Sequence, residues 1–174
     1  MRFYALISER AVNMEFWDIL DRDGNITGKT PVLGTVTLEK GKYHLVVHIW
    51  IKNSKGEFLI QQRSDQMDMM PGVWAVTGGS AKSGETSVQA AVRELSEELG
   101  IFVSPKQFRF HKRLLRRNSI ADIWFLDYDV EIRSLKLQKE EVTQAKWVSS
   151  DELRFMIAQG AFHDYGKAYF KEIF

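Results

Sequence analysis

One stretch of this sequence, residues 79–101, constrains the fold and the function more than any other. A loop that carries glycine opens there into a predicted helix, and the helix ends on a turn rich in glutamate. At 100° per residue, four apolar positions of the helix fall within about 40° of one another, and we predict that this face packs on a core. These positions are Val88, Val92, Leu95 and Leu99. Glu94, Glu97 and Glu98 share a separate sector of roughly 100°.

Three carboxylates on one helix face are unfavourable when nothing cationic lies over them. Like charges three or four residues apart each cost roughly 0.2–0.5 kcal/mol on an exposed helix. Mg²⁺ takes oxygen ligands and often combines a few carboxylates with the phosphates of a substrate. The glutamates therefore indicate a divalent metal site, and the alternative is a solvated acidic face.

The whole spacing of this stretch resembles the signature of the Nudix hydrolases at every specified position. The matching residues are Gly79, Glu85 after five residues, Arg93-Glu94-Leu95 after seven more, Glu97-Glu98 after one, and Gly100-Ile101 after one. The resemblance implies an α/β fold, a Nudix-type α/β/α sandwich with a mixed central sheet. Helices alternating with strands, and a helix launched from a strand through a glycine loop, favour the same architecture.

The resemblance also implies roles for the residues of this stretch. Glu97 and Glu98 are expected to be the main ligands of Mg²⁺, or of Mn²⁺ in its place. Glu94 is expected to be a third acidic ligand or a base, and the carbonyl of Gly79 a backbone ligand. The expected reaction is hydrolysis of a diphosphate linkage in a nucleoside diphosphate derivative, by attack of water on phosphorus. A diphosphate that is not a nucleotide is the other substrate class.

Two further residues complete the expected catalytic set. Arg93 is expected to pair with Glu85 or Glu97 and to orient the carboxylates. In the family, the base that accepts the proton of water often comes from a loop after the signature. Glu140 and Glu141 stand in such a loop, and we select Glu141. A solvated acidic pair is the alternative interpretation.

Within the family, the sequence resembles the branch close to isopentenyl-diphosphate isomerase. The resemblance covers residues 15–153 and rests on the segments 17–30, 43–48 and 71–74. The isomerase uses a cysteine on the strand before the signature, whereas this chain has no cysteine and its hydrolase signature is intact. Hydrolysis is therefore favoured. An isomerase-like enzyme and a Nudix module that binds a nucleotide without catalysis are the alternatives.

Three residues outside the signature are candidates for substrate contact: His44, Arg63 and Trp74. His44 and His48 lie four residues apart on a predicted strand and so share a face. They are either hydrogen-bonded histidines or metal ligands, and the sequence leaves both interpretations open. The spacing of Asp18, Asp21 and Asp23 is superficially that of a calcium loop, but the bidentate glutamate that should follow is missing.

Composition limits the remaining possibilities. A chain of 174 residues that is 44% apolar can bury a full core, and we predict one domain, with an N-terminal extension at 1–42 and a core at 43–174. A net charge of +1 argues against a nucleic-acid track. The basic run at 111–117 is predicted to be strand and turn, or alternatively to face phosphate. The absence of cysteine, of a membrane-spanning run and of a leader pattern predicts a cytoplasmic protein. A small-molecule diphosphate as the partner is what the Nudix resemblance implies.

The predicted elements can be given by their ranges. Strand 16–20 and strand 26–30 form a hairpin around a turn at 21–25. Further strands are predicted at 43–51, 57–63, 74–79, 108–115, 121–130 and 145–148, a helix from Ser149 or Ser150 to Gly160, and a short aromatic helix in the tail 162–174. The hairpin and the tail offer surfaces for a homodimer.

Overall fold

The computed structural model of the protein describes residues 15–28, 32–33, 37–67 and 69–174, and within them seven strands form one mixed sheet. These strands are β3 (His44–Lys52), β4 (Phe58–Arg63), β5 (Trp74–Ala75), β6 (Thr77–Ser80), β7 (Arg109–Leu115), β8 (Ser119–Asp127) and β9 (Val142–Val148). Two short strands, β1 (Phe16–Trp17) and β2 (Val32–Leu33), pair separately. The helices are α1 (Ser87–Leu99), α2 (Ser150–Ala158) and α3 (Lys167–Phe170), with 3₁₀ turns at Pro105–Gln107 and Ile132–Ser134.

The sheet opens where β3 and β4 separate. On one side β3 runs parallel to β8 over its whole length. On the other side it meets β4 only at Ile51 and Lys52, and farther along it pairs with β6 instead. β4 continues away to pair with β5 and β9. The segment 74–80 therefore crosses a V-shaped opening between β3 and β4, and we call this opening the cleft.

The two faces of the sheet are each covered by helix, as the α/β/α interpretation predicts. Val47, Ile49 and Ile51 point from β3 to one face and pack with α1 in a single hydrophobic cluster. Trp50 points to the other face, where it packs with residues of α2 and α3. All four side chains are fully buried. Each contributes about 1.5–3 kcal/mol by leaving water.

Helix α1 forms where the sequence predicts it, because a capping residue stands at each of its ends. Thr86 caps the N-terminus by accepting a hydrogen bond from the amide of Gln89. Gly100 ends the helix in the left-handed conformation, at φ 67°, which glycine adopts without steric cost. All four residues of the predicted apolar face contact the core, and Leu95 and Leu99 are fully buried. This prediction is confirmed.

The N-terminal hairpin differs from its prediction in the partner strand. The turn at 21–25 forms, with the Asp21 carboxylate accepting hydrogen bonds from the amides of Asp23 and Asn25. Leu20 then bridges Ile26, but β1 pairs with Val32–Leu33 and not with residues of the predicted strand 26–30. Gly28, at φ 69°, interrupts the extended run, and residues 29–31 lie outside the described part of the chain.

The other predicted strands and the helix at 150–158 are confirmed, with small shifts at their ends and one division. The predicted strand 74–79 is split into β5 and β6, which pair with different neighbours. The basic run at 111–117 lies in β7 and the following turn, and Arg113 forms a bidentate ion pair with Asp122 at 2.7 and 2.8 Å. None of the helices in the described residues is long and apolar enough to cross a membrane.

Candidate active site

The acidic face of α1 lies against the glycines that follow β5. A Cβ atom on Gly79 would overlap the Glu94 carboxylate, and one on Gly78 would overlap the carbonyl oxygen of Val47. Two successive residues without side chains therefore let the strand, the helix carboxylates and the neighbouring backbone approach closely. This close approach is the physical reason for glycine at the predicted position 79.

Arg93 holds the acidic residues together. Its Nε and Nη2 atoms donate to the two oxygens of Glu85 at 2.8 and 3.0 Å, and Nη2 also donates to the carbonyl of Ser80 at 2.9 Å. Its Nη1 atom donates to Glu94 at 2.9 Å and to Glu97 at 3.0 Å. The sequence predicted a pair with Glu85 or Glu97, and Arg93 binds both. Burial opposes its charge, but the hydrogen bonds from Arg93 to its acidic partners raise the pKa above the ordinary arginine value.

Glu98 is the most deeply buried carboxylate of the group, with 3% of its surface exposed. Its Oε2 atom accepts hydrogen bonds from Gln61 Nε2 at 2.9 Å and from the amide of Gly78 at 3.2 Å. Gln61 in turn accepts a hydrogen bond from Thr77 Oγ1 at 3.1 Å. Gln61 was not among the predicted site residues. The sequence feature that could have identified Gln61 is its polar side chain directly after three apolar strand positions, 58–60.

Burial and mutual repulsion raise the pKa of these carboxyls. Burial, against the opposing charge of Arg93, raises the pKa of Glu94 to about 7. Burial and the charge of Glu94 raise the pKa of Glu98 well above its usual range. Glu97 is the exposed member, and its side chain lies 3.7 Å from the ammonium of Lys82. Nearby cations therefore compensate the acidic charge only in part.

This donor set fits a hard divalent cation, because it offers buried carboxylate oxygens and an excess of negative charge. No group of three His, Cys, Asp or Glu side chains among the described residues stands ready as a metal site. Arg93 holds Glu94 and Glu97 by hydrogen bonds, and Gln61 holds Glu98. A cation would therefore compete with these hydrogen bonds for the carboxylates.

Glu141 lies near the acidic face although it is distant in sequence. Its charge raises the pKa values of both Glu94 and Glu98. The pKa of Glu141 itself is raised by burial and by the charges of Glu15 and Glu97. Gln138 donates a hydrogen bond to its carboxylate at 2.9 Å, whereas Glu140 is exposed. The geometry therefore favours Glu141 over Glu140 as the residue that faces the site.

The two histidines of β3 are buried and hydrogen-bonded. His44 stacks on Trp17 with ring centroids 3.9 Å apart, and its Nδ1 atom lies 3.3 Å from Ser80 Oγ. Burial lowers the pKa of His44 to about 4. The hydroxyl of Tyr169 accepts a hydrogen bond from Trp50 Nε1 at 2.9 Å and is hydrogen-bonded to His48 Nδ1 at 3.1 Å. These contacts agree with the interpretation as hydrogen-bonded histidines.

The other two predicted substrate contacts lie at the end of the cleft where β4 meets β5. Arg63 is partly exposed, and its Nε atom donates to the carbonyl of Met69 at 3.0 Å. Trp74 is also partly exposed, with the ammonium of Lys146 5.0 Å from its ring centroid. The aspartates whose spacing is superficially that of a calcium loop have separate roles, since Asp18 accepts hydrogen bonds from Ser83 and Gly84 while Asp21 closes its own turn.

Comparisons with known proteins identify the family and the fold of the chain. The sequence model of the NUDIX domain family matches residues 42–168. An uncharacterised Nudix hydrolase of Listeria monocytogenes is 41% identical over 153 residues, which are 87% of this chain and 90% of that protein. An isopentenyl-diphosphate Delta-isomerase of Cutibacterium acnes is 29% identical over 152 residues, covering 80% and 76% of the two chains. A crystal structure from Deinococcus radiodurans, 23% identical, shares the fold with a TM-score of 0.71 over 84% of this chain and 90% of that chain.

Proposed function

The chain belongs to the Nudix hydrolase family, and we propose that it hydrolyses a diphosphate linkage in a nucleoside diphosphate derivative with the help of Mg²⁺ or Mn²⁺. The observation that carries the proposal is the buried, only partly compensated group of carboxylates on α1. Such a group is unfavourable by itself and becomes favourable when a cation and a phosphate bind over it. The intact signature on this helix supports the hydrolase reaction.

The residues that would hold the metal are Glu94, Glu97, Glu98 and the carbonyl of Gly79. When bound, a divalent cation neutralises phosphate oxygens, stabilises the charge on the leaving group and lowers the pKa of water. Arg93 contributes by keeping Glu94 and Glu97 on one side of α1. The catalytic set that we propose is therefore Arg93, Glu94, Glu97 and Glu98, together with a base.

Glu141 is the residue that we propose as the base. A carboxylate next to other carboxylates binds a proton more readily, and the pKa of Glu141 is raised by burial and by Glu15 and Glu97. In the proposed reaction, water attacks phosphorus, Glu141 takes its proton, and the anhydride bond to the leaving phosphate breaks. His44, Arg63 and Trp74 remain the proposed contacts to the rest of the substrate.

A substrate screen tests the proposal. Purified protein is incubated with nucleoside diphosphate derivatives and non-nucleotide diphosphates, with Mg²⁺, with Mn²⁺ and with EDTA, and the products are identified by mass spectrometry. We expect release of two phosphate-bearing products only with metal, and loss of this release in Glu98→Gln. Glu131→Gln is the control, because Glu131 is exposed and pairs with Arg133. Turnover that survives in EDTA or in Glu98→Gln would overturn the proposal.

An isomerase-like activity is the second candidate, and the similarity to the Cutibacterium acnes isomerase favours it. Against it, the chain has no cysteine that could take part in protonating a double bond. Incubation with isopentenyl diphosphate separates the two candidates. The isomerase would form dimethylallyl diphosphate of unchanged mass, whereas the hydrolase would release phosphate.

The domain organisation that we propose is a single Nudix domain over residues 1–174, with an extension at 1–42 and a core at 43–174. The family match at residues 42–168 supports this division. A homodimer through the hairpin or the aromatic tail, and a cytoplasmic location, stay predictions.

A further inference from the structure

A second group of polar and charged side chains surrounds Tyr165, which packs against the hydrophobic cluster under α2 and α3. The guanidinium carbon of Arg116 lies 5.9 Å from the centroid of the Tyr165 ring. The ring of His163 contacts the same tyrosine edge to face, with centroids 4.3 Å apart. The charge of Arg63 lowers the pKa values of both Tyr165 and His163. We call Arg63, Arg116, His163 and Tyr165 the Tyr165 cluster.

Three segments that are distant in sequence build this cluster. The amide of Arg63 donates to the carbonyl of Val73 at 3.0 Å, which fixes the end of β4 beside the start of β5. The amide of His163 donates to the carbonyl of Trp74 at 2.7 Å, so the C-terminal segment extends along the other edge of β5. The turn between β7 and β8 supplies Arg116. Backbone hydrogen bonds therefore hold these segments next to one another. The positions of the residues do not depend on contacts between their side chains.

The arginines of the Tyr165 cluster form no ion pair with any carboxylate in the described part of the chain. Arg113 binds Asp122 in a bidentate pair, but neither Arg63 nor Arg116 has a carboxylate partner within 4 Å among the described residues. Burial together with the charges of Arg116 and Arg63 lowers the pKa of His163, against a small opposing effect of Asp164. The lowered pKa keeps His163 mainly neutral near pH 7, so the two arginines carry the positive charge of the cluster. Arg63, Arg116 and His163 are all partly exposed, so a ligand can reach them. Positive charge collected in this way becomes favourable when an anion binds.

The cluster and the helix carboxylates border the same cleft. Gln61 and Arg63 stand two residues apart on β4, and Gln61 holds Glu98. The charge of Glu98 contributes to raising the pKa of Tyr165, and the charge of Arg63 lowers the pKa of Glu141. A ligand that lies over Glu98 and extends along β4 therefore arrives at the cationic side chains.

From this placement we infer that the Tyr165 cluster binds a phosphoryl group of the substrate, a terminal one with its free negative charges. Guanidinium groups and an imidazole are hydrogen-bond donors that phosphate oxygens accept well. The inference rests on the proposed function for its ligand, and it extends that function by naming the substrate class: diphosphates with an unesterified end. Arg63 was expected from the sequence to contact substrate. A phosphate-facing role for the basic run at 111–117, which includes Arg116, was the alternative interpretation of that run, whereas His163 was not among the predicted residues.

Titration calorimetry with inorganic pyrophosphate, on protein freed of metal with EDTA, tests the inference. Since the cluster needs no metal, we expect wild-type protein to bind pyrophosphate and Arg116→Gln to bind it on the order of tenfold more weakly. Arg117→Gln is the matched control, because Arg117 is the adjacent, exposed arginine of the same turn, and its affinity should stay within about twofold of wild type. Circular dichroism checks that both variants are folded, and His163→Gln gives a second, independent loss of affinity.

A kinetic comparison separates this inference from the proposed function. We expect a nucleoside diphosphate to have a KM about tenfold below that of the same compound with its terminal phosphate esterified, and Arg116→Gln to remove the difference. Equal affinity of Arg116→Gln and wild type for pyrophosphate, with metal-dependent hydrolysis intact, would overturn the inference and leave the proposed function standing. Metal-free binding that depends on Arg116, without any hydrolysis, would instead overturn the proposed function alone.

Discussion

Glu94 gives the clearest test of the idea that the acidic face of α1 sacrifices stability for ligand binding. Its carboxylate is 7% exposed and lies against Gly79, where burial disfavours the charged form. In Glu94→Gln the charge is gone, while the amide oxygen still accepts the hydrogen bond from Arg93. We therefore expect the metal-free variant to be more stable than wild type.

The magnitude follows from the two pKa values. A carboxyl with a pKa of about 7 in the folded protein and 4.5 in the unfolded chain makes folding less favourable by about 3 kcal/mol above pH 7. The Glu94 carboxyl binds its proton more tightly in the folded protein than in the unfolded chain. The free-energy penalty on folding therefore shrinks as the pH falls, and it vanishes below pH 4.5. At pH 5 less than about 1 kcal/mol of it remains.

Urea unfolding of the metal-free proteins at pH 8 and at pH 5 measures this difference. We expect Glu94→Gln to exceed wild type by about 3 kcal/mol at pH 8 and by under about 1 kcal/mol at pH 5. Glu131→Gln, at an exposed position, should change little at either pH. Saturating Mg²⁺ and pyrophosphate should stabilise wild type more than the variant. A variant no more stable than wild type at pH 8, or equally favoured at both pH values, would refute the reasoning.

Three further predictions concern neighbouring residues. Gln61→Ala should lower the free energy of unfolding by about 2 kcal/mol in urea titrations, since Thr77 loses its acceptor and Glu98 one of its donors. An unchanged unfolding midpoint would argue against a stabilising role of these two hydrogen bonds. Glu141→Gln should lower kcat at least a hundredfold in steady-state assays if Glu141 is the base, with Glu140→Gln as the near-neutral control. His48 has a pKa of about 3 when folded against 6.5 unfolded, so the unfolded chain takes up its proton first. Wild type should thereby lose about 2 kcal/mol between pH 7 and pH 5, and His48→Gln should lose that much less over the same range.

Local spacing predicted the parts of the site that lie within one element. The apolar and acidic faces of α1, its glycine end and the pairing of Arg93 all depend on residues a few positions apart. The bond between Gln61 and Glu98 joins residues 37 positions apart, and it exists because the fold brings β4 next to the C-terminal turn of α1. No short-range pattern encodes that register. The predicted second strand of the hairpin differs from the structure for a local reason, because Gly28 takes a φ of 69°, which lies outside the strand region.

The cleft keeps opposite charges apart. If Arg63 or Arg116 paired with Glu98, the ion pair would satisfy both groups and leave nothing for a ligand to compensate. The segment 74–80 prevents this, since it crosses between β3 and β4 and Gly78 binds Glu98 from the strand side. Arg93 and Lys82 restrain Glu97 at the exposed end of the acidic group. A diphosphate with a cation at one phosphate and free negative charges on the other is complementary to the carboxylates of α1 and to the Tyr165 cluster together. The separation of the two charged groups therefore defines the substrate class that we propose, more than either group does by itself.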